Sequence, residues 1–156
     1  MNQVFTIEQL RPLRDGFTIS RDTRLGTTTK VTLFSLGKDT SISQESYDQM
    51  TMYIGAAGKG HIIIGEDAKY LELLPDTVLL VPKKTLCGME SDSGMVYTEI
   101  ILEYDKAKEI IMNQNIKTNE VFELKNLINY EEGSIANVDI VSAPTMKYVL
   151  MAFDEG

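Results

Sequence analysis

The chain has 156 residues, which is enough for one domain with a hydrophobic core, and no apolar run of about 18 residues that could span a membrane as a helix. Its formal net charge of −8 disfavours binding to nucleic-acid phosphates or anionic lipid surfaces, which attract clustered Lys and Arg. The single cysteine excludes an intrachain disulfide, and the first residues carry no apolar signal-peptide core. We therefore expect a cytoplasmic protein that contacts neither nucleic acid nor membrane.

The N-terminal residues predict a short helical turn followed by extended chain. Thr6 and Gln9 have the spacing of a capping box, which predicts a helical turn over residues 6–10 that Pro12 limits. The β-branched run at 27–32 favours a strand, because branching at Cβ is better accommodated on a pleated sheet than in a helix.

Short apolar runs separated by Gly, Pro, Asp and Ser fill the middle of the chain. Close spacing of this kind is typical of an antiparallel all-β sandwich or barrel, and no crossover helices separate the runs as a parallel sheet would require. The predicted strands lie at 32–36, 50–54, 61–64, 70–74, 78–81 and 96–102. The last of these alternates imperfectly, which indicates burial on both faces.

This strand frame resembles the cupin barrel, an RmlC-like double-stranded β-helix or jelly roll. Gly37 matches the opening glycine of the first cupin motif, and residues 58–60 resemble the glycine turn between two central strands. Pro75 and Pro82 have the separation of the prolines in the second motif. The resemblance covers roughly the first two thirds of the chain and implies an all-β fold with short helical segments.

The metal-binding positions of the cupin motifs carry other residues here. A cupin metal site usually takes three histidines and one glutamate from these positions. Counting from Gly37, the first two histidine positions fall on Ser43 and Glu45, the glutamate position falls near Gln49, and the last histidine position falls on Cys87. The resemblance therefore implies a barrel that has lost its metal and keeps its pocket.

The candidate pocket residues are those at the motif positions together with nearby methionines, which adapt to varied ligands. They are Ser43, Glu45, Gln49, Met52, Cys87 and Met89. Glu45, Gln49 and Cys87 are the weak candidates for a divalent metal, because a carboxylate and a thiolate are its only strong ligands among them. We assign no catalytic residue and expect no cofactor.

A polar stretch separates the barrel from the end of the chain. Residues 103–120 lack Gly and Pro and place Ala107, Ile110 and Ile111 at helical spacing. We therefore divide the chain into a barrel at 1–104, a partly helical linker at 105–120 and a distinct segment at 121–156.

The final segment repeats the beginning of the chain. A shift of 117 positions lays residues 121–156 on residues 4–39 without a gap and gives eight identities in 36 aligned residues. The identical pairs are Val4 and Val121, Phe5 and Phe122, Leu10 and Leu127, Gly16 and Gly133, Asp22 and Asp139, Thr28 and Thr145, Lys30 and Lys147, and Leu33 and Leu150. We expect residues 121–156 to be the opening strands of a second, incomplete cupin repeat, as in a two-barrel bicupin.

An incomplete repeat leaves an apolar strand without the partners of its own barrel. Such an edge invites pairing with another chain. The strand either completes the sheet of the first barrel or is exchanged with a second molecule. We expect a homodimer formed by strand exchange over residues 145–153.

Three functions remain open at this point. The first is a non-catalytic barrel that serves as a structural or small-molecule-binding module. The second is a metal-dependent cupin enzyme, an isomerase or dioxygenase, with a site made of Glu45, Gln49 and Cys87. The third is a sensory module that works beside a DNA-binding domain outside this sequence.

Overall fold

The structure, a computed structural model, describes residues 6–25, 29–103 and 108–154, and there it is built almost entirely from antiparallel strands. One short α-helix, α1, spans Ile7–Leu10, and one 3-10 turn spans Leu124–Asn126. The strands in chain order are β1 (Thr18–Leu25), β2 (Thr29–Leu36), β3 (Thr40–Glu45), β4 (Met50–Gly58), β5 (Gly60–Ile64), β6 (Lys69–Leu73), β7 (Thr77–Val81), β8 (Cys87–Ser91), β9 (Met95–Leu102), β10 (Ile111–Met112), β11 (Val121–Glu123), β12 (Ile135–Ala143) and β13 (Met146–Phe153). No helix in these ranges is long and apolar enough to cross a membrane.

Helix α1 confirms the predicted capping box. The Thr6 hydroxyl oxygen accepts a hydrogen bond from the Gln9 amide at 3.1 Å. The Gln9 side-chain oxygen accepts one from the Thr6 amide at 2.9 Å. These bonds satisfy amide groups that the first turn of a helix leaves without partners.

Two antiparallel sheets form a jelly-roll barrel, which confirms the all-β prediction. The first sheet has the order β1-β2-β9-β4-β7-β11, and the second has the order β3-β8-β5-β6. Strand β9 lies inside the six-stranded sheet and is buried along nearly its whole length, as its sequence indicated. Gly37 follows β2 at a close approach, because a Cβ there would overlap the Arg14 carbonyl oxygen.

Strand alternation sends side chains of the six-stranded sheet into two separate clusters. The inner cluster lies between the two sheets and contains Leu36, Tyr53, Ile62, Ile64, Leu73, Leu79, Val81, Cys87, Met89, Met95 and Tyr97. The outer cluster lies on the opposite face of the six-stranded sheet and contains Val31, Leu33, Met52, Val78, Leu80, Ile100, Leu102, Ile116, Ile140 and Val141. The six-stranded sheet is therefore covered on both faces.

The C-terminal hairpin β12–β13 helps to cover the outer face. With β10 it forms a separate three-stranded sheet of order β10-β12-β13, so it does not complete the sheet of the barrel. Ile140 and Val141 are fully buried in the outer cluster. A hydrogen bond of 2.9 Å between the hydroxyl groups of Thr29 and Thr145 ties the hairpin to the start of β2.

The connection between barrel and hairpin differs from the sequence prediction. Residues 108–120 contain the short strand β10 and turns but no helix, so the partly helical linker is wrong over that range, and residues 104–107 lie outside the described residues. Ile111 pairs with Ser142 of β12, and this pairing overrides the weak helical spacing. Strand β11 then adds to the edge of the barrel sheet beside β7.

Candidate functional site

The inner cluster becomes polar at one end of the barrel. Strand register places Tyr53 of β4 opposite Glu99 of β9, and Glu45 of β3 opposite Cys87 of β8. Glu99 is only 5% exposed although it carries a carboxyl group. Together with aromatic and apolar side chains, these four residues line a cavity of about 50 Å³. By volume the cavity has room for about three or four water-sized atoms.

Aromatic rings form much of the cavity wall. The Phe34 and Tyr97 rings are stacked, with centroids 5.0 Å apart and an interplanar angle of 6°. Tyr53 lies against Tyr97 at 6.2 Å and is tilted by 58°. Ile42, Tyr47, Gly88 and Met89 also line the cavity. The wall therefore offers aromatic rings as well as polar atoms to a molecule that enters the cavity.

Hydroxyl groups surround the Glu99 carboxyl. The Tyr47 hydroxyl donates to Glu99 Oε2 at 3.4 Å. Burial raises the pKa of Glu99, because the charged form loses water; hydrogen bonding from Tyr53 and the positive charge of Lys30 oppose this shift. Glu99 is thus a carboxyl group whose ionisation is disfavoured by its position in the barrel.

The cavity tyrosines and cysteine all hold their protons more tightly than they would in water. Burial raises the pKa of Tyr47, Tyr53 and Tyr97, and the Glu99 charge adds to the shift. Burial also raises the pKa of the Cys87 thiol to about 11, although hydrogen bonding with Tyr53 opposes that shift. These groups act as hydrogen-bond donors at neutral pH, and Cys87 lacks the thiolate character of a nucleophile.

The structure gathers three of the six predicted pocket residues at the cavity. Glu45, Cys87 and Met89 line it. Ser43 is exposed on β3, where the pairing with β8 shifts between Ile42 and Glu45, so that simple counting along the strand fails.

The other two predicted pocket residues lie elsewhere. Met52 is fully buried in the outer cluster, because its neighbour Tyr53 takes the inward position on β4. Gln49 lines a separate surface groove with Asp48 and Pro82.

Sequence reasoning missed Glu99 and Tyr47, and the predicted pocket residues did not include Tyr53 or Tyr97. The available signal was the strand sequence from Met95 to Leu102, in which Glu99 is the one charged residue among apolar and hydroxyl side chains. An isolated acid in a strand that is buried on both faces has no solvent-facing side to occupy.

The side chains in the barrel do not fit the divalent metal that the cupin resemblance implies. Within the described ranges, no group of three or more His, Cys, Asp or Glu side chains is arranged to hold a metal ion. Cys87 would have to lose a proton that its surroundings retain, and Gln49 lies outside the cavity. The chain's single histidine, His61, lies on β5 outside the cavity lining, where its ring makes an edge contact with that of Tyr70 at 5.9 Å between ring centroids.

Comparison with known proteins identifies the fold. No protein-family model matches the sequence, and no curated protein matches it. Among solved structures, the chain is similar to a cupin 2 conserved barrel domain protein from Leptotrichia buccalis, with a TM-score of 0.77, 19% sequence identity, and coverage of 96% of this chain and 64% of that chain. It is also similar to a cupin superfamily protein from Desulfitobacterium hafniense, with a TM-score of 0.60, 22% identity, and coverage of 67% and 94%.

A third similar structure is that of an enzyme. The polyketide cyclase RemF from Streptomyces resistomycificus matches with a TM-score of 0.52 and 13% identity, covering 65% of this chain and 78% of that chain. The chain thus has the cupin jelly-roll fold, and it spans about 64% of the length of the Leptotrichia structure. Sequence identities this low support an inference about the fold but not about the activity, since proteins of one fold have many activities.

Proposed function

We propose that the barrel is a non-catalytic cupin module that binds a small molecule at its polar end. The observation that carries this proposal is Glu99, a carboxyl group 5% exposed beside a cavity of about 50 Å³. Burying a carboxyl group costs free energy, and an apolar side chain of similar size would stabilise a barrel that had only a structural role. A costly polar group beside an internal cavity is better explained by a bound ligand.

The protonation states at the cavity disfavour nucleophilic catalysis. A nucleophilic side chain needs a lowered pKa or a neighbouring base that takes its proton. Here the pKa values of Tyr47, Tyr53, Tyr97, Cys87 and Glu99 are all raised. The cavity therefore offers proton donors and a reluctant carboxylate, but no activated nucleophile.

A thermal-shift screen of small polar compounds tests the binding role. We expect at least one compound to raise the melting temperature of the unaltered protein. The matched control is Glu99→Leu, which should melt higher without ligand and should lose the response. If no compound shifts the melting temperature and Glu99→Leu only stabilises the protein, the barrel has a structural role instead.

We further propose that residues 121–156 open a second cupin repeat. Strand β1 pairs with β2 so that Thr18 lies opposite Leu36. With the shift of 117 positions, the same register in β12–β13 places Ile135 opposite Phe153. Two segments related by a sequence repeat therefore form hairpins with equivalent pairing from Ile135 to Asp139, beyond which the second hairpin shifts its register by one residue. The shared pairing supports a common origin as cupin opening strands.

Identical residues in the two copies have similar structural roles. Gly16 and Gly133 precede the two hairpins with φ values of +74° and +72°, a left-handed conformation that glycine adopts readily. The Lys147 ammonium lies 2.8 Å from the Asp139 carboxylate. The equivalent ion pair in the first copy, Lys30 with Asp22, has a separation of 4.0 Å.

The Leptotrichia structure supports the same proposal. A match over 96% of this chain includes most of residues 121–156, yet it accounts for only 64% of that protein. The Desulfitobacterium structure, by contrast, is matched over 94% of its own length by 67% of this chain. A single barrel and a longer protein thus both align, as expected for one barrel followed by the start of another.

The exposed face of β12–β13 is where we propose that a homodimer forms. Ile135, Met151 and Phe153 are 63%, 55% and 56% exposed on this face. Strand β13, which carries Met151 and Phe153, is also the edge of its sheet in the described part of the chain, which leaves backbone groups available for pairing. Exchange of residues 145–153 between two copies would give this edge a partner strand and bring the apolar side chains against the other copy.

Light scattering after size exclusion tests this dimer. We expect the mass of two chains for the unaltered protein and of one chain for Phe153→Asp. Phe17→Asp is the matched control, since Phe17 is 65% exposed and lies outside the hairpin. A monomeric mass for the unaltered protein would contradict the homodimer and leave the face to other strands of a longer protein.

A further inference from the structure

The charges at the cavity have one sign. Among the residues that line it, the charged side chains are Glu45 and Glu99, and no Lys, Arg or His belongs to the lining. The Lys30 ammonium is close enough to lower the pKa of Glu99, but its side chain is 52% exposed and it is paired with Asp22. In their ionised form the two carboxyl groups therefore repel anions such as phosphates and carboxylates from the cavity.

The uncharged part of the wall suits a cation as well. Aromatic rings attract positive charge over their faces, and the attraction is strongest where water is excluded. The stacked pair Phe34 and Tyr97 together with Tyr53 encloses the cavity beside Glu99. Met89 adds a polarisable thioether that accommodates alkyl groups.

We propose that the cavity binds a small primary ammonium cation with its nitrogen at Glu99 and its alkyl group against Phe34, Tyr97 and Met89. This inference rests on the binding role proposed above and names the chemical class of the ligand. A volume of about 50 Å³ admits an alkylammonium of one to three carbons and is too small for a bulky quaternary ammonium. An ammonium group donates hydrogen bonds and carries the charge that balances the carboxylate.

Glu99 and Glu45 have different tasks in this site. Glu99 is buried, so its contact with the ammonium is shielded from water and salt. Glu45 is exposed at the rim and attracts cations toward the opening. Removing the charge of Glu99 should therefore affect affinity far more than removing the charge of Glu45.

An NMR titration of the isotopically labelled protein with methylammonium chloride tests the inference. Sodium chloride is withdrawn in step, so that the ionic strength stays constant. We expect saturable shifts of the Gly88 and Met89 amide signals, with a dissociation constant on the order of a few millimolar, as befits a ligand of so few atoms. Methanol, tetramethylammonium and formate are the probes for a neutral group, a larger cation and an anion, and we expect no saturable shift from them.

Three variants connect binding to named side chains. Glu99→Gln should weaken methylammonium binding by about tenfold or more, because a charge-assisted hydrogen bond is lost. Glu45→Gln, at an exposed position, should weaken it by about twofold. Glu90→Gln is the matched control, since it removes the same charge from β8 at a residue outside the cavity lining, and it should leave binding unchanged.

The outcomes separate this inference from the broader proposal. Saturable binding of methanol or formate in preference to methylammonium, or an unchanged affinity in Glu99→Gln, would overturn the cation site while leaving the barrel a small-molecule binder. If no probe shifts the cavity signals and no compound in the screen raises the melting temperature, both the cation site and the broader binding role are wrong. Should Glu99→Gln not fold, Glu45→Gln still tests the electrostatic attraction at a position on the surface.

Discussion

The two hairpins β1–β2 and β12–β13 share a sequence pattern and, from Ile135 to Asp139 of the second hairpin, the same register, but different elements cover them. Leu36 of β2 is fully buried in the inner cluster, whereas the equivalent Phe153 of β13 is 56% exposed. The opposite faces behave alike, since Leu33 and Leu150 both pack in the outer cluster. The local sequence thus specifies the hairpin and the packing of its outer face in the outer cluster. Burial of the inner face depends on a second sheet that packs against it to form a barrel.

The largest expected effect contrasts the two inner-facing positions. Leu36→Ala should lower the free energy of unfolding by about 2–5 kcal/mol, because it leaves a cavity in a packed core. Phe153→Ala should lower it by less than about 1 kcal/mol, because the side chain is largely exposed in the single chain. Urea denaturation at low protein concentration measures both, and equal losses would mean that the second hairpin is covered within one molecule.

The next prediction concerns how stability depends on pH through Glu99, which the barrel buries. The pKa of Glu99 is raised in the folded state, so the folded protein binds more protons than the unfolded chain above the ordinary carboxyl pKa of 4.5. Stability should therefore fall as pH rises from about 4.5 through the raised pKa of this group, and Glu99→Gln should remove that fall. Denaturation curves at a series of pH values measure it, and a parallel pH profile in the variant would contradict the assigned cause.

A smaller effect is expected to be equal in the two copies. Gly16 and Gly133 have φ near +70° with open space at the Cβ position, so alanine there adds backbone strain without a steric clash. Each Gly→Ala change should lower the free energy of unfolding by about 1–2 kcal/mol. Thermal unfolding measures both variants. If only one of them lost stability, the second turn would not be a structural equivalent of the first.

The smallest effect concerns the repeated ion pair. Lys30→Ala and Lys147→Ala should each change stability by less than about 1 kcal/mol, because both lysine side chains are more than half exposed. The shorter Lys147–Asp139 pair should show the larger change of the two, and high salt should erase the difference. Unfolding at low and high ionic strength checks both statements.

The strands were predictable where apolar alternation and turn residues agree, and less so elsewhere. Strands β4, β5 and β7 follow their apolar runs closely, whereas β3 and β8 have mixed sequences that gain order mainly by pairing with each other. The repeat predicted a second hairpin that composition alone would not reveal. The helical spacing around Ile110 failed, because a two-residue strand pairing with β12 was available instead.

The candidate site was predictable in part. Motif counting reached Glu45 and Cys87, because the cupin frame is preserved around them. Met52 was predicted in the pocket as a nearby methionine, but neighbouring residues of a strand face opposite sides, and Tyr53 occupies the inward position. Glu99 lies outside the positions that the motifs specify, so only its isolation in an apolar strand could have indicated its role.

We propose that the barrel keeps the cupin frame and carries a carboxyl and tyrosine cluster where a cupin usually holds its metal. Elemental analysis by plasma mass spectrometry tests it most directly, on untagged protein produced in medium supplemented with manganese, iron, nickel and zinc and purified without chelator. The account predicts only trace metal. About one equivalent of any of these metals per chain, reduced in Glu99→Gln or Cys87→Ser, would contradict it and return the barrel to metal-dependent chemistry.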